Sequence, residues 1–180
     1  KSGKVMRIVN QKEHYTIILR PNRIDVQFPG VQPEKMVDIL RKMQEVFKEI
    51  SDILENPLGN RLAYVASFFS FDDDGTKMGE LINRINFLPK NSKTTELTLR
   101  INTPEVIQDE DINVVTNINN VLVGNNAAPD AGKRRSIMIT YDVNTLHNSL
   151  DNRFDFSLVL AYFDEMVNIT MDHLESFKNI

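Results

Sequence analysis

The sequence lacks cysteine, and it also lacks any long apolar segment. The absence of cysteine among 180 residues excludes a disulfide framework, thiolate zinc sites and a cysteine nucleophile. No apolar run approaches the roughly 20 residues that a membrane-spanning helix needs. The seven glycines and seven prolines are too few for a flexible or repetitive polymer. These absences predict a cytoplasmic globular protein that does not associate with a membrane.

Charge and composition are those of an ordinary globular protein. Hydrophobic residues make up 41% of the chain and charged residues 26%, and the length fits a single domain over residues 1–180. The net charge of -4 disfavours a nucleic-acid partner, because phosphate contacts dominate such affinity. The basic cluster Lys133-Arg134-Arg135 directly precedes a predicted strand. We interpret it as the charged beginning of that strand rather than as a phosphate site.

Alternating and β-branched patterns predict several short strands. Residues 23–28 alternate between apolar and polar side chains, as in a half-buried antiparallel strand. Residues 62–71 are apolar on both faces, which predicts a central strand that is covered on both sides. Residues 112–123 are predicted as a strand, although a helix fits nearly as well. The remaining predicted strands are residues 5–10, 14–19, 95–101 and 135–142.

Helical spacing of apolar residues predicts three helices, over residues 33–55, 77–88 and 155–178. The first and the last are long, and their apolar residues recur at alternating spacings of four and three, so each helix buries a stripe. The predicted fold class is α+β. We expect an antiparallel or mixed sheet of about six strands, with two long amphipathic helices and one short helix packed mainly on one face.

The apolar stripe of the last helix is the first candidate for an interface. Its unbroken spacing over about three heptads satisfies a coiled-coil seam. A helix that lies across its own sheet needs the same spacing, and that arrangement is commoner, so both interpretations stay open. The candidate interface residues are Phe156, Leu160, Phe163, Val167, Leu174 and Phe177.

The segment Asp72-Asp73-Asp74-Gly75-Thr76 follows an apolar strand and resembles the first motif of haloacid-dehalogenase-type phosphatases. The resemblance implies that Asp72 is the nucleophile and a Mg²⁺ ligand and that Asp74 is the general acid. That family also needs a later lysine, a further acidic pair and a parallel sheet, whereas here Asp142 alone follows a predicted strand. The other interpretation is a polar turn in which an aspartate caps the following helix.

No other constellation predicts catalysis or metal binding. His14, His147 and His173 are scattered without the spacing of a metal site, and no serine lies in a Gly-x-Ser-x-Gly motif. We therefore expect no catalytic residues, no metal and no cofactor. A small-ligand or peptide-binding module stays open, because aromatic side chains could line a cavity, although such residues more often form the core. They are Tyr64, Phe68, Phe69, Phe154 and Phe163.

Three segments carry a second resemblance. They are Arg23-Ile24-Asp25-Val26 before a long helix, Arg61-Leu62-Ala63-Tyr64-Val65, and Met138-Ile139-Thr140-Tyr141-Asp142-Val143 before the final helix. Their succession resembles a sporadically distributed prokaryotic family of α+β proteins of uncharacterised activity. The resemblance implies a topology and no chemistry.

The sequence therefore predicts a non-enzymatic interaction or assembly protein, either a homo-oligomer or a subunit of a bacterial or phage complex. Its expected partner is another protein or a second copy of itself. The alternatives are a Mg²⁺-dependent phosphatase that uses Asp72 and Asp74, and a small-ligand or peptide-binding module.

Overall fold

The computed structural model describes residues 5–21, 23–30, 36–54, 58–84, 96–124, 132–146 and 151–178. Contacts within the chain divide it into two compact units, residues 1–57 and residues 58–180. The expectation of a single domain over the whole chain stays a prediction.

The first unit contains a three-stranded antiparallel sheet and one helix. β1 (Met6–Asn10), β2 (Tyr15–Arg20) and β3 (Arg23–Gln27) lie side by side in that order. α1 (Met36–Ile53) is amphipathic, as its apolar spacing predicts. Residues 33–35 and 55 of the predicted helix lie outside the described residues. Over residues 38–53 of this helix, the buried apolar side chains are Met43, Val46, Phe47 and Ile50.

The second unit is built on a four-stranded antiparallel sheet. Its strands are β5 (Ala63–Phe71), β6 (Thr98–Ile107), β7 (Glu110–Val123) and β8 (Arg134–Thr145), in the spatial order β5-β8-β7-β6. A separate two-stranded ladder joins β4 (Leu58–Gly59) to β9 (Phe154–Asp155). The segment predicted as either strand or helix, residues 112–123, is therefore a strand.

Two helices cover one face of the four-stranded sheet. α2 (Thr76–Arg84) packs Met78, Leu81 and Ile82 into a cluster with apolar side chains of β7 and β8. α3 (Phe156–Lys178) contacts β5, β6, β8 and β9, and its Phe177 joins the same cluster. Both helices confirm the predicted amphipathic pattern over their described residues, and residues 85–88 of the predicted second helix lie outside them. Within the described residues, no helix is both long enough and apolar enough to span a membrane.

The predicted α+β class is confirmed, but the predicted single sheet of about six strands is wrong. The described residues form nine strands in three sheets, because β4 and β9 are too short to show a pattern and the first three strands form a sheet of their own. The prediction of a central strand at residues 62–71 is also wrong. β5 pairs only with β8 among the described strands and therefore lies at an outer edge.

Candidate interaction surface

The turn after β5 holds the two aspartates of the phosphatase-like motif. Asp72 is buried, and its carboxylate accepts hydrogen bonds from the backbone N–H groups of Lys77 (2.9 Å) and Met78 (3.0 Å) in the first turn of α2. Asp74 accepts one from the backbone N–H of Thr76 at 3.1 Å, and this bond lowers the pKa of Asp74. Both carboxylates thus bind backbone donors that begin the helix, as capping residues do.

Asp73, between these two residues, forms an ion pair with Arg134, the first residue of β8. The Nη2 and Nε atoms of Arg134 lie 2.5 Å and 3.1 Å from Asp73 Oδ2, and these hydrogen bonds lower the pKa of Asp73. The guanidinium carbon also lies 3.9 Å from the centre of the Phe71 ring, a cation–π contact. The basic cluster at the start of β8 therefore contributes an arginine to the end of β5.

These contacts favour the capping interpretation of the motif over the phosphatase interpretation. The sheet that contains β5 is antiparallel, unlike the parallel sheet of the phosphatase family. Asp142 lies within β8, where its carboxylate accepts a hydrogen bond from Asn144 at 3.0 Å. Among the described residues, no group of three or more histidine, aspartate or glutamate side chains is arranged to hold a metal ion.

Most of the candidate interface residues on α3 pack inside the second unit. Phe163, Val167 and Leu174 are buried, and Phe177 packs against the cluster that α2 forms with the sheet. Phe156 and Leu160 are partly buried. The stripe thus serves the core of this unit, which was the commoner of the two alternatives. A role of these residues in an interface stays a prediction.

The histidines of the described residues lie in separate places. His14 lies in the turn between β1 and β2 with a φ of 54°. His173, on α3, has its Nε2 atom 3.0 Å from Glu105 Oε1, and its ring meets Tyr141 edge to face. His147 lies outside the described residues. His14 thus belongs to the first unit and His173 to the second.

An open groove of about 520 Å³ lies in the first unit, beside α1. Its charged residues pair with one another: Lys42 Nζ lies 2.8 Å from Glu13 and 3.2 Å from Glu45, and Arg41 lies 2.7 Å from Asp38. None of the five aromatic residues proposed to line a ligand cavity belongs to it. Of those five, Phe154 and Phe163 are buried, and Phe69 is 54% exposed.

The outer edge of β5 is the strongest candidate for a functional surface. The backbone N–H of Asp72 donates to the carbonyl of Arg135 (3.0 Å), and the N–H of Thr145 donates to the carbonyl of Leu62 (3.1 Å). Hydrogen-bonded pairs recur at every second residue of an antiparallel ladder, so the even-numbered residues of β5 bond to β8. The backbone groups of the odd-numbered residues therefore point away from β8. We call this row, Ala63, Val65, Ser67, Phe69 and Phe71, the free edge of β5.

The side chains of the same residues are exposed. Val65, Phe69 and Phe71 are 58%, 54% and 45% exposed, although all three are large and apolar. Their even-numbered neighbours turn toward the face that carries the helices, and burial there raises the pKa of Tyr64 to about 12. Among the described strands, the backbone groups of β5 that face no neighbouring strand and its exposed apolar side chains thus belong to one row of residues.

The opposite edge of the sheet, formed by β6, is different. The N–H of Asn120 donates to the carbonyl of Leu97 at 3.2 Å, so the odd-numbered residues of β6 bond to β7 and the even-numbered ones point outwards. The outward row includes Pro104, which has no N–H, and Arg100, which is charged. Proline and charge both hinder the addition of another strand. β5 contains neither, and it contains no glycine.

A second exposed apolar stretch lies on β1 in the first unit. Met6, Ile8 and Val9 are between 47% and 60% exposed. This edge strand has five residues against nine in β5, and Arg7 lies within it. Charge within a short strand is a common protection of sheet edges. β5 is therefore the better candidate.

Sequence reasoning missed the free edge of β5, although the sequence contained a signal for it. A strand that is apolar on both faces predicts cover on both faces, and β5 has cover on only one. Comparisons of the chain with protein-family models, with curated proteins and with solved structures found no match. The candidate surface rests on its own geometry.

Proposed function

We propose that the protein is a non-enzymatic interaction or assembly module, acting as a homo-oligomer or as a subunit of a bacterial or phage complex. The observation that carries this proposal is the free edge of β5, where open backbone groups coincide with exposed apolar side chains. A cytoplasmic location and a protein partner belong to the same proposal.

An outer strand of this composition gains free energy when a further strand pairs with it. The new strand forms main-chain hydrogen bonds, and the apolar surface that it removes from water contributes about 25 cal/mol per Å². Edges that stay unpaired are commonly protected by proline, charge or a bulge, as Pro104 protects β6. Pairing with a strand of a partner best explains why the free edge of β5 lacks such protection.

The two alternatives have less support. Asp72 and Asp74 already accept hydrogen bonds from the N-terminus of α2, so a phosphatase role would compete with capping. The open groove beside α1 offers charged residues that are paired with one another.

Light scattering on the purified protein, together with mass spectrometry of chains that co-purify from the source organism, tests the proposal. We expect a defined oligomer or a stoichiometric protein partner. A strictly monomeric protein at cellular concentrations, without a partner, would contradict it. Phosphate release that is abolished by Asp72→Asn would instead establish the phosphatase alternative.

A further inference from the structure

We propose that a second copy of this chain occupies the free edge of β5, through an antiparallel β5–β5 pair whose two-fold axis passes beside Ser67. This inference rests on the proposed function and specifies its partner and surface. The paired strands would join two four-stranded sheets into one continuous sheet.

The backbone of β5 has the correct phase for this pairing. Ser67 is the middle residue of Ala63–Phe71, and it belongs to the outward-pointing row. With Ser67 opposite Ser67 of the second copy, each residue of the free edge lies opposite another residue of the same row. All of these positions are hydrogen-bonded pairs of an antiparallel ladder. The pairing with the second copy therefore uses none of the backbone groups through which β5 bonds to β8.

The side chains in this register are complementary in size. Val65 lies opposite Phe69 of the second copy, and Ala63 lies opposite Phe71 of the second copy. The Val65–Phe69 pair is an aromatic–β-branched pair, a combination that stabilises antiparallel strands. On the face that carries the helices, Ala66 lies opposite Phe68. Large side chains therefore oppose small or branched ones, and the strand brings no charge into the pair.

The charges that flank β5 select the same register. Arg61 precedes the strand and Asp73 follows it, so the two-fold axis at Ser67 places Arg61 of each copy opposite Asp73 of the other. Both side chains are exposed. Asp73 is paired with Arg134 in its own chain, and the exposed Asp74 adds a second negative charge at this end. Moving the two-fold axis by one residue in either direction shifts the register by two residues and would place Arg61 opposite Phe71, or Ala63 opposite Asp73. It would also shorten the ladder.

Cross-linking at single cysteines tests the register, because the chain has no cysteine of its own. In the proposed pair the Cα atoms of the two Ser67 residues lie about 5.5 Å apart. The two Ala63 residues lie eight positions apart along the ladder, a separation of about 27 Å. A short bis-maleimide should therefore convert most of S67C into a covalent dimer, while A63C, on the same exposed row, stays uncoupled.

The mass of the wild-type protein in solution shows whether a negative result contradicts only the β5 pairing or also the proposed function. A wild-type dimer whose S67C variant does not cross-link, or whose A63C variant cross-links equally well, would overturn the β5 pairing and leave the proposed function standing. A wild-type monomer would overturn the β5 pairing, and it would overturn the proposed function as well only if no partner protein co-purifies with it.

Proline at the centre of the free edge provides a second test. Ser67→Pro removes the outward N–H and the side-chain hydroxyl but no backbone hydrogen bond to β8, so the ladder is kept and we expect a folded monomer. Ser67→Ala loses the same hydroxyl, which hydrogen-bonds Thr140 at 2.9 Å, but keeps the N–H and should stay dimeric. Circular dichroism verifies folding. A Ser67→Pro protein that is folded and still dimeric would rule the pairing out.

Discussion

Ala63 and Pro104 lie on the two outer edges of the four-stranded sheet, and one line of cross-strand neighbours, a row across the sheet, connects them. The row runs from Ala63 through Asn144 and Asn113 to Pro104. Both end residues direct their backbone outwards, but only Ala63 has an N–H to offer. One sheet therefore has an edge that can accept another strand and an edge that is protected against it.

A lysine on each edge should have different effects on association. Phe69→Lys places a charge on the free edge of β5, where pairing would bury it beside an apolar side chain, and we expect at least about tenfold weaker self-association. Val106→Lys is the matched control, because Val106 is 65% exposed on the outward row of β6. Analytical ultracentrifugation measures both constants. Equal weakening by the two variants would show that β5 is not the interface.

The sequence predicted β5 almost to the residue but not its place in the sheet. Its continuous run of apolar residues is local and visible in the sequence, whereas pairing partners are set by the rest of the chain. The prediction that the strand is covered on both faces was wrong for the isolated chain. A paired β5 would remove part of this discrepancy, because an edge strand would become an interior one.

For β6 the prediction had the wrong length, because the predicted strand is shorter than the observed one. The predicted strand stops at residue 101, where the alternation ends, and Pro104 lies three residues further on; proline lacks the N–H that an interior strand needs. The observed strand continues to Ile107, because the backbone nitrogen of Pro104 faces the outer edge and no hydrogen bond to β7 depends on it. Gln108 and Asp109, with φ values of 50° and 81°, then form a tight hairpin turn without the usual glycine signal. Edge position and turn conformation are tertiary properties that the pattern does not contain.

Asp72 should act as a cap rather than as a nucleophile. Asp72→Ala leaves two backbone N–H groups of α2 without an acceptor, and we expect a loss of about 1–2 kcal/mol in the free energy of unfolding. Asp74→Ala, which removes one exposed bond, should cost less. Urea denaturation measures both. An unchanged stability of Asp72→Ala would contradict the capping role.

The Arg153–Glu110 ion pair should stabilise the second unit more than the Arg134–Asp73 pair. Arg153 donates from Nε and Nη2 to the two carboxylate oxygens of Glu110 at 2.7 Å and 3.0 Å, and from Nη1 to the carbonyl of Asn60 at 2.8 Å. Both side chains are largely shielded, and the two-pronged geometry is the stronger kind. A double-mutant cycle should give a coupling of about 1 kcal/mol.

The control for that cycle is the pair formed by Arg134 and Asp73, whose side chains are more than half exposed. Solvent and salt screen such charges, so its coupling should be smaller and should fall further in 0.5 M salt, about three times physiological ionic strength. A larger coupling for the exposed pair would contradict the ranking.

Tyr141→Phe should stabilise the protein at neutral pH. The ring is fully buried between Phe68 and His173, and within the described part of the chain its hydroxyl has no hydrogen-bond partner. Removing a buried hydroxyl that is not bonded avoids its desolvation cost, so we expect a gain of about 1 kcal/mol in the free energy of unfolding. A loss of similar size in thermal or urea denaturation would show that the hydroxyl is bonded in solution.

The same substitution should change the response to alkaline pH. Burial raises the pKa of Tyr141 from its ordinary value of 10.0 to about 12 in the folded protein. Between these two values the unfolded chain loses a proton that the folded chain keeps, so the free energy of unfolding falls as the pH rises. Tyr141→Phe removes this contribution, and its stability should decline less steeply between pH 10 and 12 than that of the wild type. Parallel slopes in urea titrations over this range would mean that Tyr141 ionises equally easily in both states.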